Sequence, residues 1–174
     1  MNKLGDDFSA NRVFVPEMLI AARCMSAATE LLKPYMVGEG GESATVGSAV
    51  IGTVRGDMHD IGKNLVKIMM EGSGIAVYDL GTDVSAEQFI ETAVEHDCGI
   101  IACSSLLTTT MNEMRRVVSL AQEKGIRKKV RILIGGAPIS QSFCDEIGAD
   151  VYTEDAGAAA RAAVEMLKTC QNGK

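Results

Sequence analysis

Gly56-Asp57-Met58-His59-Asp60-Ile61-Gly62-Lys63-Asn64 follows the apolar run Ile51-Gly52-Thr53-Val54 and precedes a segment of helical periodicity. In an open α/β sheet, a turn from strand to helix lies at the carboxyl end of the strand, where such sheets bind ligands. One of the chain's two histidines stands on this turn, with Asp57 two residues before it and Asp60 one after. An imidazole so placed is a natural metal ligand, and a carboxylate such as Asp57 fixes its tautomer and raises its basicity. The competing reading is a surface-loop histidine beside aspartates that cap the next helix. Nine residues alone do not choose between the two.

Working outward, strand and helix patterns alternate from Thr45 onward, which argues for a parallel sheet covered on both faces. Strands are expected over 45–54, 75–80, 99–103, 130–134 and 150–152, and helices over 61–71, 86–95, 110–124, 140–147 and 155–169. Ser85 with Gln88 makes a capping box, and Gly125 and Gly148 suit helix C-termini. Five strands in this rhythm suit an α/β fold of flavodoxin-like type, a five-stranded parallel sheet in the order 2-1-3-4-5. Its switch point lies between the first and third strands. The histidine turn follows the first of these and Ser104 ends the third, so both face the expected crevice.

Two further turns follow apolar runs: Ser104-Ser105-Leu106, and Gly135-Gly136-Ala137-Pro138. Forty-one residues separate Gly62 from Ser104, and 28 separate Leu106 from Gly135. The order and spacing resemble the cobalamin-binding signature Asp-x-His-x-x-Gly, Ser-x-Leu, Gly-Gly. The family is that of the corrinoid proteins of methyltransferase systems, including those of O-demethylase and methylamine systems, and of the cobalamin domain of methionine synthase. The resemblance implies that His59 coordinates cobalt from below in place of the cofactor's own base, making it the metal ligand. Asp57 would accept the other ring N–H, within a turn that runs from Gly56 through Met58, Asp60 and Ile61 to Gly62. A serine hydroxyl continues this relay in methionine synthase. Its position here is Thr110, for which the N-cap of the following helix is an equal reading.

By the same resemblance, Ser104, Leu106 and Thr108 line the slot for the displaced nucleotide tail, although Ser104-Ser105 also reads as a plain strand end. A buried hydroxyl there can bond a heterocycle that would otherwise leave a polar atom unpaired. Gly135, Gly136 and Ala137 lie where absent or small side chains let a bulky ligand approach the backbone. Tyr152, Asp155 and Ala156 match the family's last tail-contacting turn. No G-x-G-x-x-G follows a strand, Gly62-Lys63-Asn64 is no phosphate loop, and nothing resembles a nucleophile elbow.

Residues 1–36 carry a wide apolar stripe (Val15, Met18, Leu19, Ala22, Met25, Ala28 and Leu32) at helical spacing, with Pro16 in the first turn and Pro34 at the end. Methionines at this spacing read as core or as a cofactor lid. The segment resembles the second half of the family's helical cap, with Phe8 and Val15 at the two positions that cover the upper face of the corrin. The expected organisation is a partial helical cap over 1–36, a Gly-rich linker and hinge over 37–44, and a cobalamin-binding domain over 45–174. A cap lacking its first helices would leave Val15, Met18, Leu19, Met25 and Leu32 uncovered, which points to a homodimer through residues 8–36.

Composition narrows the class further. A net charge of −6 argues against binding to nucleic-acid phosphates. The one basic cluster, Arg127-Lys128-Lys129-Val130-Arg131, reads as a solvated turn. No run approaches the roughly 20 apolar residues of a membrane span. Cysteines at 24, 98, 103, 144 and 170 form no C-x-x-C pair and suit reduced packing residues of a cytoplasmic protein. The expectation is thus a cobalamin-bearing methyl carrier. Its partners would be a substrate-specific methyltransferase, a second methyltransferase serving an acceptor such as tetrahydrofolate, and a reductive activator. The rivals are the small subunit of an adenosylcobalamin mutase, a cobalamin sensor, and a flavodoxin-like domain without a corrinoid.

Overall fold

The computed structural model describes residues 2–36 and 45–171. Five parallel strands, β1 (Gly47–Thr53), β2 (Ile75–Asp79), β3 (Ile100–Ser104), β4 (Arg131–Gly135) and β5 (Val151–Thr153), pair in the order β2-β1-β3-β4-β5. Helices α3 (Ile61–Gly72), α4 (Ala86–Glu95), α5 (Asn112–Glu123), α6 (Gln141–Ile147) and α7 (Ala156–Gln171) connect or follow them. This is the flavodoxin-like order expected from the sequence. The capping box of Ser85 and Gln88 opens α4, and Gly148 closes α6 in the left-handed region at φ 73°. Asp155 accepts the Ala158 N–H (2.8 Å), so it caps α7 and does not begin it.

Period-two alternation divides the sheet between two cores. Val50, Ile101, Cys103, Ile132 and Ile134 pack with Phe89, Met114, Val117 and Phe143 beneath α4, α5 and α6. Ala49, Ile51, Ile100, Ala102 and Leu133 pack with Met69 and Met70 of α3 and with Ala156, Ala159, Ala160 and Ala163 of α7. Each fully buried large side chain contributes about 1.5–3 kcal/mol. The alanine stripe on α7 lets that helix lie close to the sheet, and the cavity described below opens beyond it.

The last three strands each start and end one residue later than expected. Thr53 pairs with Ser104, Ser104 with Gly135 and Gly135 with Thr153, so one row crosses four strands. Ser104 and Gly135 look like turn residues but form the final rung. Gly136, just past it, has φ 135°, and a Cβ there would stand 1.8 Å from the Ser105 carbonyl oxygen. The loops after β3 and β4 cross at this point, and only a glycine fits.

The N-terminal segment forms two helices, α1 (Asn2–Ser9) and α2 (Val15–Met36), where one was expected. Asn11, at φ 56°, turns the chain between them. Helix α2 runs past Pro34, a residue with no N–H to give to the helical ladder. Gly5 brings α1 onto α7: a Cβ there would meet Met69 Cε at 2.7 Å and Gly157 Cα at 3.8 Å. Arg161 of α7 donates to Asp6 Oδ1 (3.0 Å). Met18 is 1% exposed within the α3/α7 core, against the expectation that it lacks cover. Leu19 and Met25 stay exposed and Val15 is half-buried, while the Leu32 side chain and the 37–44 linker lie outside the described residues.

Replacing Gly136 by alanine forces both the crossing and the positive φ. Urea unfolding of Gly136→Ala is expected to show a loss of at least about 2 kcal/mol.

Candidate functional site

The β1–α3 turn carries Asp57 and His59, and its shape follows from where its polar atoms go. Asp57 is fully buried. Its Oδ1 accepts the His59 backbone N–H (3.0 Å) and the His59 Nδ1–H (2.7 Å). Its Oδ2 accepts the Leu106 N–H (2.6 Å) from the loop after β3, with the Thr110 hydroxyl 3.4 Å away. Burial alone would push this carboxyl up. The two backbone N–H groups and the imidazole outweigh burial and hold it down at about 2.

His59 is fixed at three atoms. Besides its N and Nδ1, its carbonyl accepts the Thr53 hydroxyl (2.7 Å). An ionised carboxylate only accepts, so Nδ1 carries a proton, and in the neutral imidazole Nε2 is the nitrogen with the free lone pair. The side chain is 53% exposed. Asp60 does not cap α3 with its side chain; its carboxylate accepts from Asn64 Nδ2 (3.0 Å). The reading of this turn as a capping loop therefore fails for both aspartates.

His59 borders a cavity of about 820 Å³ between the carboxyl ends of the strands and the α3/α7 face. Met58, Asp60, Ile61, Gly62, Ser104, Leu106, Gly135, Gly136, Ala137, Tyr152, Asp155, Ala156 and Phe8 line it as well. Its inner wall is apolar, with Ile51, Leu65, Val66, Ala102 and Leu133. Gly56, Asp57 and Thr110 are not in its wall: Gly56 is exposed on the turn, and Asp57 and Thr110 are buried. Thr108 and Val15 do not reach the cavity. Thr110 is not the N-cap of α5, which starts at Asn112 after Met111.

Several wall residues carry no motif. Leu65 and Val66 are placed by the pitch of α3, and Thr153 by its pairing with Gly135. Lys63 is 3% exposed and donates to Asp79 Oδ1 (2.6 Å) and Asn64 Oδ1 (2.7 Å), tying α3 to the end of β2. Cys103 is pushed up to about 12 by burial and stays a neutral thiol. Cys98 and Cys144 are also buried free thiols, whereas Cys24 is exposed.

The donor set limits what the cavity can hold. Among the described residues, no three His, Cys, Asp or Glu side chains converge to hold a bare ion. A single imidazole suits a metal that brings its own equatorial ligands. A Cβ at Gly62, on the wall, would meet nothing within 4 Å, leaving room for a bulky ligand against the backbone. Among the described residues, no helix is long and apolar enough to cross a membrane.

Comparison with known proteins agrees with this geometry. A B12 binding domain family matches residues 47–165, and a second B12 binding domain family matches residues 1–33. Dimethylamine corrinoid protein 3 of Methanosarcina mazei is 44% identical, over 96% of this chain and 99% of that protein. A cobalamin-binding protein from Desulfitobacterium hafniense superposes with a TM-score of 0.78 at 31% identity, covering 98% of this chain and 76% of that one. A chain of the methanol:cobalamin methyltransferase complex MtaBC from Methanosarcina barkeri gives a TM-score of 0.82 at 29% identity, with 94% and 61% covered.

Because the Asp57 carboxyl stands near 2 in the folded chain against an ordinary 3.8, its contribution to stability is full above that ordinary value. It is lost as pH falls through the folded value. Between pH 5 and pH 2, the chain without cofactor is expected to lose about 2 kcal/mol more stability than Asp57→Asn, as read by urea unfolding.

Proposed function

The chain belongs to the family of B12-binding corrinoid proteins, and we propose that it is the methyl carrier of a multi-protein methyltransferase system. The observation that carries this reading is the imidazole of His59, pinned through Nδ1 to a buried carboxylate, with Nε2 unengaged beside a cavity of about 820 Å³. When bound, the corrinoid supplies a cobalt centre that can accept a methyl group and release it.

The chain's own residues position and shield that centre. His59 would ligate the metal through Nε2, and Asp57 holds the ring's tautomer and orientation. Gly62 keeps the backbone open to a bulky ligand. The apolar wall of Ile51, Ala102 and Leu133, with Ser104 and Thr153 on its rim, suits a heterocyclic tail. Phe8, reaching the cavity from α1, suits a cover that excludes water.

A methylated amine is the donor class favoured by the corrinoid relative from Methanosarcina mazei. We place transfer to and from the carrier with partner proteins: a donor-specific methyltransferase, an acceptor methyltransferase using a carrier such as tetrahydrofolate, and a reductive activator. A second copy of the chain is a further partner. On α2, Ile20, Cys24, Ala27 and Leu31 recur at i, i+4, i+7 and i+11 and are all exposed, the seam of a helix pair.

Three outcomes test this reading. His59→Ala is expected to stay folded and bind cobalamin without the histidine-nitrogen splitting in its paramagnetic spectrum; an unchanged spectrum would refute the assignment. Asp57→Asn should cost about 10- to 100-fold in cobalamin affinity or methyl-transfer rate. Light scattering should show a dimer for the native chain and a monomer for a variant carrying both Ile20→Glu and Leu31→Glu.

A further inference from the structure

Ser105 is one of the residues bordering the cavity, yet it is fully buried and its hydroxyl bonds within its own loop. Its backbone is fixed twice, by its N–H to the Gly135 carbonyl (3.1 Å) and by its own carbonyl at the crossing with Gly136. Its Oγ lies 2.9 Å from Thr110 Oγ1 and 3.2 Å from the Leu107 carbonyl. Thr110 Oγ1 in turn has the Leu107 carbonyl at 3.1 Å and Asp57 Oδ2 at 3.4 Å.

Each hydroxyl has one proton, so only a few arrangements are possible. Thr110 can donate to Ser105 while Ser105 donates to Leu107, which leaves Asp57 Oδ2 with the Leu106 N–H alone. Alternatively Ser105 donates to Thr110, filling its lone pair, and the Thr110 proton turns to the carboxylate. The second arrangement ends on an ionised acceptor, and a hydrogen bond to a charge is roughly twice as strong as a neutral one. A donor onto Thr110 also polarises its O–H and strengthens the next link. Without Ser105, the Leu107 carbonyl competes for the Thr110 proton at the shorter distance.

We propose that Ser105 is a positioning residue for the metal ligand, acting through Thr110 and Asp57 on His59. The inference rests on the corrinoid reading for its purpose, though not for its geometry. Charge drawn from Asp57 by Thr110 is charge not available to the His59 N–H. Removing the Ser105 hydroxyl therefore makes Asp57 a stronger acceptor and His59 a stronger donor to the metal. A loosened loop would have the opposite effect, because a mispositioned imidazole ligates less well.

The test uses the full chain labelled with ¹⁵N-histidine, which gives only two ring systems, His59 and His96. Without cofactor, Ser105→Ala is expected to move the His59 Nδ1 resonance toward greater imidazolate character, and Thr110→Val to move it further the same way. Adding Ser105→Ala to Thr110→Val should produce no additional shift, since Ser105 acts only through Thr110. Loaded with cobalamin and reduced to the paramagnetic state, Ser105→Ala should keep at least the native fraction of nitrogen-ligated cobalt. An unmoved or oppositely moved resonance, an additive double variant, or a reduced ligated fraction would overturn the proposal. Should Ser105→Ala fail to fold, Ser105→Cys, with its weaker donor, must give the same direction of shift. A native chain that takes up no cobalamin would sink the proposed function, while the nitrogen shifts still judge the hydroxyl network.

Discussion

Four donors converge on the buried carboxylate of Asp57, and much of the structure is arranged to supply them. Two come from His59, one residue beyond its neighbour on the same turn. The other two, the Leu106 N–H and the Thr110 hydroxyl, come from the loop after β3. A charge taken out of water without partners would be untenable. With them it locks the β1–α3 turn to the β3–α5 loop across the switch point of the sheet. The orientation of the His59 ring therefore depends on long-range structure as well as on its own turn.

The sheet provides the platform for that lock. Because Thr53, Ser104, Gly135 and Thr153 share one rung, the loops leaving four strands start at one level. Crowding follows at once, and Gly136 relieves it by giving way to the Ser105 carbonyl. The α4/α5/α6 face is filled by large side chains. The opposite face, lined by the alanines of α7, keeps a cavity at its upper end and receives Met18 and Phe8 from the N-terminal helices.

Much of this is legible in the chain. The alternation of patterns gives the five strands and their parallel connection, because each apolar run is bounded by a glycine or a helix cap; the order 2-1-3-4-5 follows from the flavodoxin-like type. The Asp57–His59 pair is legible because its partners are two residues apart. Thr110 is ambiguous in sequence because a threonine ahead of a helix is a natural cap, and only the start of α5 two residues later removes that option. Strand ends at Ser104 and Gly135 are misplaced by one residue because both types also mark turns. Ser105 fills the variable position of Ser104-Ser105-Leu106, so the motif does not assign it: its meaning comes from a hydroxyl five residues away and a glycine crossing 31 residues further on. The shorter helix α1 is hidden by Gly5, which weakens helical propensity but permits contact with α7.

The distances along the chain also bear on when the site comes into being. Asp57 takes Leu106 and Thr110 as partners 49 and 53 residues downstream, and Ser105 is set by Gly135 and Gly136 later still. A ribosome adding about 5–20 residues per second emits the histidine turn several seconds before the groups that orient it. Until β3 has paired beside β1 and the loop after it has closed on Asp57, the histidine turn lacks its long-range anchors. Loading with a large cofactor is thus an event for the finished fold, and a nascent chain has no means of capturing it early.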